Sequence, residues 1–360
     1  MHSAAFDLQS KDRMSVKERM PALVAGESID RVPFVPSASG FAARIYGIDR
    51  GTLYRDPDIA FAAGQHLMKT FPWMNARPLY GWADRGSWEF GGRILWPDNN
   101  RYAAPCSVSL ITEPADVDRL PDPDPATAGM IPLVDRFNIL SRQRGFPASL
   151  PGGTPTTLSA GIVGRSRFLK WLIRYPEAVH KLQRKVTDFI IRTAERTLKK
   201  HGPENCSLFC GVPMESNQLI SPATFVEFAK PYIHEILSFY KTAGVRSMVL
   251  HLCGEHTRNL EHFLELPLPA RTVFSIGDEM DLIKTSKAIG DSFILAGNIS
   301  TRLLHGGSFE AVLAETRTCL RQGMTHKGGF ILMPACELPP DTPMGNIHAV
   351  ARALFEEGYY

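Results

Sequence analysis

Short apolar runs alternate with longer amphipathic stretches from about residue 150 to residue 360. Apolar runs of about four to eight residues, bounded by turn-forming residues, are typical of strands buried on both faces of a parallel sheet. Six such runs predict strands at 156–161, 206–212, 245–252, 272–276, 292–296 and 329–333. Between and after them, apolar residues recur at helical spacing and predict helices at 176–201, 221–243, 256–266, 281–289, 308–322 and 346–357.

Two more strands are predicted nearer the N-terminus, at 32–35 and around 76–80. Eight strands with intervening helices indicate an α/β protein with a (β/α)8 TIM-barrel fold, here in one domain that covers 1–360. The residues before the first strand then form an N-terminal extension. The stretch 88–104 breaks the alternation and predicts a β-hairpin that decorates the barrel, while the Pro/Asp stretch 120–125 predicts a rigid surface connection.

The overall composition excludes several classes of partner. The formal net charge is only +3, without a long basic run, so we expect no nucleic acid. An apolar stretch of the roughly 20 residues that span a membrane is missing, so we expect no membrane. The segment that starts at Met1 lacks the apolar core of a secretion signal, and the six cysteines are too unevenly spaced for a disulfide framework. We therefore expect a cytoplasmic protein with reduced thiols.

The candidate chemistry centres on the segment His-Leu-Cys-Gly at 251–254, which directly follows the apolar run 247–250. Side chains two positions apart on a strand point to the same face. His251 and Cys253 are therefore expected to project together from the end of a buried strand, and Gly254 lets the chain turn there.

A second thiol, Cys336, follows the apolar run 330–333 and so lies at an equivalent place on a later strand. In a parallel barrel the functional groups gather at the C-terminal ends of the strands. One histidine and two cysteines match a three-ligand zinc site that leaves a fourth position open for chemistry. Because Cys336 is distant in sequence, the residues alone leave a zinc site and ordinary buried side chains equally open.

Other polar residues follow predicted strands and are expected near the same end of the barrel. Glu215 is a candidate fourth zinc ligand that substrate displaces, or a polar anchor for substrate, with a solvated loop residue as the alternative. Asn298 either contacts a cofactor at the barrel mouth or only shapes a tight turn. Asp278 and Glu279 are expected to cap the following helix.

Some further residues have plainer explanations. His256 is a weaker ligand candidate that we expect to face solvent or to cap a helix. The cysteines outside the candidate site are expected to be small buried side chains: Cys106, Cys206, Cys210 and Cys319. An aromatic group is available to wall a pocket, although core packing and the hairpin explain most of its members: Tyr80, Trp82, Trp88, Phe90 and Trp96.

Several segments in one fixed order resemble a known family. They are Asn-Gln-Leu-Ile-Ser-Pro at 217–222 with 225–228 and 231–232, His-Leu-Cys-Gly at 251–254, Leu-Ala-Gly-Asn-Ile at 295–299, and Gly-Gly-Phe-Ile-Leu at 328–332 continuing through 336–343. Together they resemble the uroporphyrinogen decarboxylase superfamily, and within it the zinc-dependent methyltransferases of corrinoid systems. The resemblance implies that His251, Cys253 and Cys336 bind Zn²⁺. True decarboxylases carry an arginine-rich N-terminal motif, whereas 35–44 holds one arginine, so decarboxylation is not expected.

The resemblance implies an enzyme that works with a corrinoid (cobalamin) carried by a partner protein. One kind takes a methyl group from a small methylated substrate, such as a methoxylated aromatic, and passes it to cob(I)alamin in an O-demethylation. The other kind moves a methyl group from a methyl-corrinoid protein to a thiol such as coenzyme M. We expect the first, because the aromatic-rich region 73–96, with Met214 and Met333, suits an aryl donor, and because the residues after Cys336 differ from those of thiol-methylating members.

In this interpretation Glu215 ligates the zinc or orients the substrate. Two interpretations from another class remain. The zinc is purely structural, with Glu215 or His256 as the fourth ligand, or the chain is a docking module that only binds a corrinoid protein.

Overall fold

The structure, a computed structural model, describes residues 11–360, and these residues contain eight regular strands in two sheets. Two short strands pair antiparallel, β1 (Arg93–Leu95) and β2 (Cys106–Val108). The others form one parallel sheet in sequential order: β3 (Ala148–Ser149), β4 (Cys206–Gly211), β5 (Ser247–Leu252), β6 (Val273–Ile276), β7 (Ile294–Ile299) and β8 (Phe330–Pro334). Parallel neighbours need a crossover connection, usually a helix, and this repeated unit builds the predicted α/β barrel.

Two extended segments close this sheet into the (β/α)8 barrel. The first runs beside β8, where Val35 N donates to Leu332 O and Leu332 N donates to Pro33 O. The second lies beside the first, and Asn75 N donates to Phe34 O. Both segments contain proline, which has no N–H to donate, so they pair through isolated bonds rather than full ladders.

Helices fill the connections between the strands. They are α1 (Val16–Ala25), α2 (Ser39–Tyr46), α3 (Arg50–Arg55), α4 (Pro57–Thr70), α5 (Ile131–Gln143), α6 (Pro155–Val163), α7 (Arg165–Arg174), α8 (Pro176–His201), α9 (Pro222–Phe228), α10 (Lys230–Thr242), α11 (Leu260–Leu264), α12 (Leu282–Ile289), α13 (Thr301–Gly306), α14 (Phe309–Gly323) and α15 (Met344–Glu357). The predicted helix 176–201 matches α8 at both ends, whereas the predicted helix 221–243 is divided into α9 and α10.

The prediction of a strand at 156–161 is wrong, because this segment lies inside α6. The Thr154 hydroxyl accepts from Thr157 N at 3.1 Å as the N-cap, and Pro155 occupies the first turn. These start signals outweigh the β-branched threonines. The third barrel strand is instead β3, which supplies only two residues to the ladder with β4.

A small apolar cluster packs inside the barrel on the side of β6 to β8. It contains residues of β5 to β8 and one residue of the first extended segment. They are Val249, Val273, Ile294, Ala296, Ile331, Met333 and Val35. Ala22 and Leu23 of α1 join the same cluster, and Arg271 Nη2 donates to Leu23 O at 2.6 Å. The predicted N-terminal extension therefore closes the N-terminal end of the barrel and leaves the opposite end for functional groups.

The predicted β-hairpin is confirmed, with β2 starting just beyond the predicted stretch. Within residues 11–360, the helices are all too short or too polar to span a membrane. The first ten residues, on which the prediction about a secretion signal rests, lie outside the described part of the chain.

Candidate metal centre

His251 and Cys253 stand at the C-terminal end of β5, as the strand periodicity predicts. His251 is 7% exposed, and Cys253 follows the last strand residue and is half-buried. Gly254 has a φ of +97°, in the region that favours glycine, and a Cβ there would lie 2.8 Å from Ser216 Oγ. The turn that directs Cys253 towards the barrel mouth therefore requires this glycine.

Cys336 lies two residues beyond β8 and reaches the same place. The sulfur atoms of Cys253 and Cys336 are 3.9 Å apart, and the candidate ligand atoms of His251, Cys253 and Cys336 all lie within 4.8 Å of one another. Two thiolates bound to one tetrahedral zinc, with Zn–S distances of about 2.3 Å, are about 3.8 Å apart. The donor set and its spacing therefore fit Zn²⁺.

A hydroxyl on the neighbouring strand orients the imidazole. Nδ1 of His251 lies 3.0 Å from Ser275 Oγ on β6, and both groups are buried. Nε2 is then the ring nitrogen left to face the cysteines, and such a partner fixes both ring orientation and tautomer at a metal. Ser275 is not among the predicted site residues, and the one signal for it in the sequence is a serine inside an apolar strand.

The electrostatics of the two thiols is coupled. The Cys253 thiol and the His251 ring hold the pKa of Cys336 well below its ordinary value, while the contact with Cys336 and burial raise the pKa of Cys253. The negative charges of Asp278 and Glu279, in the loop after β6, also raise the pKa of Cys253. Their predicted capping role is wrong, because Asp281 caps α12 by accepting from Lys284 N at 2.7 Å.

Glu215 lies in a helical turn directly after β4 and is completely buried. Its carboxylate is not part of the cluster of ligand atoms around the two thiols. Burial raises the pKa of Glu215 to about 7, although the hydroxyls of Thr154 and Thr156 interact with the carboxylate and act to lower it. The solvated-loop alternative is therefore wrong, and a role for Glu215 in zinc binding or substrate orientation stays a prediction.

Asn298 lies within β7 and is nearly buried. Its amide nitrogen donates to Gly277 O and Met280 O, both at 2.9 Å. These bonds fix the loop that carries Asp278 and Glu279 beside the metal centre. A contact between Asn298 and a cofactor stays a prediction.

His256 is buried, contrary to the expectation that it faces solvent or caps a helix. Its Nε2 lies 3.2 Å from Cys253 O, and burial lowers the pKa of His256 to about 4. A neutral ring that donates to this carbonyl supports the loop of Cys253 from behind. The ring is therefore not part of the ligand cluster.

The aromatic group packs mainly on itself. Trp82, Trp88 and Trp96 have ring centroids between 5.7 and 6.4 Å apart. Arg55 lies over the Trp96 ring at 4.8 Å and pairs with Asp98. These contacts support the core-and-hairpin explanation over an open aromatic pocket.

Comparison with known proteins identifies the family of this chain. Residues 15–356 match the sequence model described as Uroporphyrinogen decarboxylase (URO-D). A methylcobamide:CoM methyltransferase, MtaA, of Methanosarcina barkeri is 28% identical over 261 residues, which cover 71% of this chain and 72% of that protein. A uroporphyrinogen decarboxylase of Chlorobaculum tepidum is 24% identical over 257 residues, with coverage of 69% and 70%.

Among solved structures, a methyltransferase from Methanosarcina mazei superposes with a TM-score of 0.77 at 21% identity, covering 96% of this chain and 99% of that chain. This likeness confirms the barrel fold. With nearly its whole described length matched by the family model, the chain belongs to the uroporphyrinogen decarboxylase family.

Proposed function

We propose that this chain is a zinc-dependent methyltransferase that moves a methyl group between the corrinoid of a partner protein and a small organic substrate. The observation that carries the proposal is the cluster of His251, Cys253 and Cys336 at the C-terminal end of the barrel. Structural zinc sites usually have four protein ligands, whereas three ligands leave a position for substrate. Since the cluster has no fourth protein ligand among residues 11–360, we favour catalysis over a structural or docking role.

We favour a thiol as the small substrate, so that it accepts the methyl group. Two relatives, 28% and 27% identical, carry the name methylcobamide:CoM methyltransferase. The residues of the aromatic-rich region favour O-demethylation of a methoxylated aromatic instead. That direction stays as the second candidate because the Phe209 ring, 42% exposed and 5.5 Å from the His251 ring, offers an aryl group a stacking surface.

Bound zinc would lower the pKa of a substrate thiol, or act as a Lewis acid on an ether oxygen. Residues around the candidate ligands hold them in position. Ser275 holds the imidazole of His251 in one orientation, Asn298 holds the loop beside Cys253, and the buried His256 ring supports the Cys253 backbone. A rigid ligand set holds the reacting substrate atom in line with the methyl group. Such alignment increases the rate because the reactants are already correctly positioned.

Decarboxylation is not supported, although one relative is a uroporphyrinogen decarboxylase. The single arginine of the segment 35–44 is Arg44. Its Nη2 donates to Thr342 O, and its guanidinium lies 5.1 Å from the Phe41 ring centroid. Arg44 therefore holds α2 against the loop after β8 rather than offering a cluster of cations to several carboxylates.

The direct test supplies the zinc-loaded full chain with methylcobalamin and a panel of small thiols, and separately with cob(I)alamin and a panel of aryl methyl ethers. The absorption spectrum of the cobalamin reports methyl transfer in either direction. Loss of methylcobalamin with a thiol supports the favoured function, and methylcobalamin formed from an ether supports O-demethylation. If neither panel changes the spectrum, even with zinc bound in stoichiometric amount, the proposal is wrong.

Cys336→Ala should remove zinc and methyl transfer together, because two ligands cannot hold the ion against a competing chelator. Losing a residue that only hydrogen-bonds to a metal ligand lowers metal affinity about 10- to 100-fold. We expect the loss of a ligand itself to lower the zinc affinity further. Metal content is measured by plasma mass spectrometry and activity by the cobalamin spectrum. Cys106→Ala is the control, since Cys106 lies on the hairpin strand β2. Full turnover by Cys336→Ala would contradict the assignment of Cys336 as a zinc ligand.

A further inference from the structure

Phe209 is an aromatic residue whose side chain faces the interior of the barrel. Its neighbours on β4, Leu208 and Cys210, line a small cavity against Ile236 and Tyr240 of α10, so they face the helix layer. Because side chains alternate along a strand, Phe209 and Ser207 face the other way, into the barrel.

The position of Phe209 beside the metal centre supports this orientation. Its ring centroid lies 5.5 Å from that of His251, at an interplanar angle of 32°. A side chain on a central strand of a closed barrel is normally packed, yet Phe209 is 42% exposed. The barrel therefore contains open space next to the imidazole, and an apolar ring forms one wall of it.

Arg77, from the second of the two extended segments, reaches the inward face of β4. Its Nη1 lies 3.4 Å from Ser207 Oγ, two residues below Phe209 on the same face of β4. Asn75 pairs with Phe34, which pairs with Leu332 of β8. Arg77 is two residues further along its segment, and its guanidinium meets Ser207 near the start of β4, below the metal ligands.

The guanidinium of Arg77 has no counter-charge. Among residues 11–360 no carboxylate forms an ion pair with it, and burial lowers the pKa of Arg77 with no acidic neighbour to offset the effect. Arg77 is only half-buried, whereas the two fully buried arginines among residues 11–360 are both paired: Arg19 with Asp30 and Arg31 with Asp12, each at 2.8 Å. Desolvating a charge without a partner is costly, so an inward-facing free guanidinium indicates that an anion is bound there during function.

We infer that Arg77, Ser207 and Phe209 form a substrate subsite beneath the metal ligands that binds a small organic anion. The guanidinium of Arg77 and the hydroxyl of Ser207 take the carboxylate or sulfonate group, and the Phe209 ring packs on the apolar body that joins this group to the reacting atom. This inference rests on the proposed function for the identity of the reacting atom. It holds for a thiol acceptor and for an aryl ether donor, because either can carry the anionic group.

Binding of unreactive anions tests the subsite without any turnover. The zinc-loaded full chain is titrated calorimetrically with propanesulfonate and with benzoate, and with the neutral propanol and benzamide as matched probes. We expect the anions to bind more tightly than the neutral probes, and Arg77→Gln to weaken anion binding about 10- to 100-fold, the usual effect of losing a charge-assisted hydrogen bond. Arg77→Lys should restore part of the loss. Arg174→Gln, at an exposed position on α7, should leave binding unchanged.

Kinetics with paired substrates gives a second readout. For methyl transfer to 3-mercaptopropionate and to 2-mercaptoethanol, Arg77→Gln should raise KM for the anionic thiol alone, and Phe209→Leu should raise KM for both.

Equal binding of anions and neutral probes by the wild-type chain, or unchanged anion binding in Arg77→Gln, would overturn the subsite. Anion binding that depends on Arg77, without methyl transfer, would leave the subsite standing and remove the proposed function. Methyl transfer that is unchanged in Arg77→Gln would leave the proposed function standing and remove the subsite.

Discussion

The hydroxyl of Ser275 decides which nitrogen of His251 faces the two thiols. We expect Ser275→Ala to lower zinc affinity about 10- to 100-fold, because the imidazole then loses the partner that fixes its tautomer and orientation. Competition with a chromophoric chelator measures the affinity.

A second serine–histidine pair provides the matched control. Ser286 Oγ lies 2.8 Å from Nδ1 of His326, and neither residue belongs to the ligand cluster. Ser286→Ala should leave zinc affinity unchanged. Equal affinities for Ser275→Ala and the wild-type chain would show that Ser275 does not orient the ligand.

Glu215 should make the stability of the chain depend on pH. Burial raises the pKa of Glu215 from 4.5 to about 7, so the folded chain keeps a proton that the unfolded chain loses. The contribution of Glu215 to stability is therefore most favourable below about pH 4.5 and declines as the pH rises to about 7. We expect Glu215→Gln to be more stable than the wild-type chain at about pH 8, by up to about 3 kcal/mol, and to match it near pH 4.5.

Urea unfolding at the two pH values measures this difference. Glu195→Gln, at an exposed position on α8, should show little change at either pH. If Glu215→Gln shifts the unfolding free energy equally at both pH values, the carboxyl group does not titrate as its burial implies.

Elements that bury an apolar run between turn signals were predicted well, and those with few residues were not. β4 to β8 carry such runs, and the adjoining helices have clear amphipathic spacing. β3 has only two residues and leaves no periodicity to detect. For α6 a start signal was present, Thr154 followed by Pro155, equivalent to the Ser221–Pro222 pair that begins α9, but β-branched residues after it favoured the wrong element.

The packing of α6 gives a prediction at the scale of this element. A Cβ on Gly161 would lie 1.9 Å from Arg85 O, so no side chain fits between the helix and the loop before the hairpin. We expect Gly161→Ala to cost about 2 kcal/mol or more in the free energy of unfolding, since backbone must move. Gly345 of α15 has open space around it, and Gly345→Ala should be neutral or stabilising by up to about 1 kcal/mol. Equal urea midpoints for the two variants would contradict this packing.

The whole barrel brings together residues that no local pattern connects. The strand periodicity placed His251 and Cys253 on one face, but the distance to Cys336 depends on the order and closure of four strands, β5 to β8. Ser275 and Arg77 were missed for the same reason, because their significance comes only from neighbours on other strands. Residue types and their places after predicted strands give the candidate ligand set, the family resemblance favours zinc over ordinary buried side chains, and the structure adds which neighbours support the set.

Removing the metal should lower the melting temperature without unfolding the barrel at room temperature. A ligand present at about 100 times its Kd stabilises a folded chain by about 2.7 kcal/mol, so chelation should cost a similar amount and added Zn²⁺ should restore it. Circular dichroism before and after chelation checks the fold, and a thermal scan gives the shift. Cys336→Ala is the control that should not respond. Unfolding on chelation would favour the structural-zinc alternative.

The span between the ligands also bears on how the chain is made. Cys253 and Cys336 are 83 residues apart, and their strands are separated by β6 and β7. A chain growing on the ribosome therefore has no complete zinc site until the last barrel strand has been synthesised and docked. With the proposed zinc ligands, metal capture is a late event in biogenesis, and a translation product that ends before β8 should bind zinc more weakly than the finished barrel, because it lacks one of the three ligands.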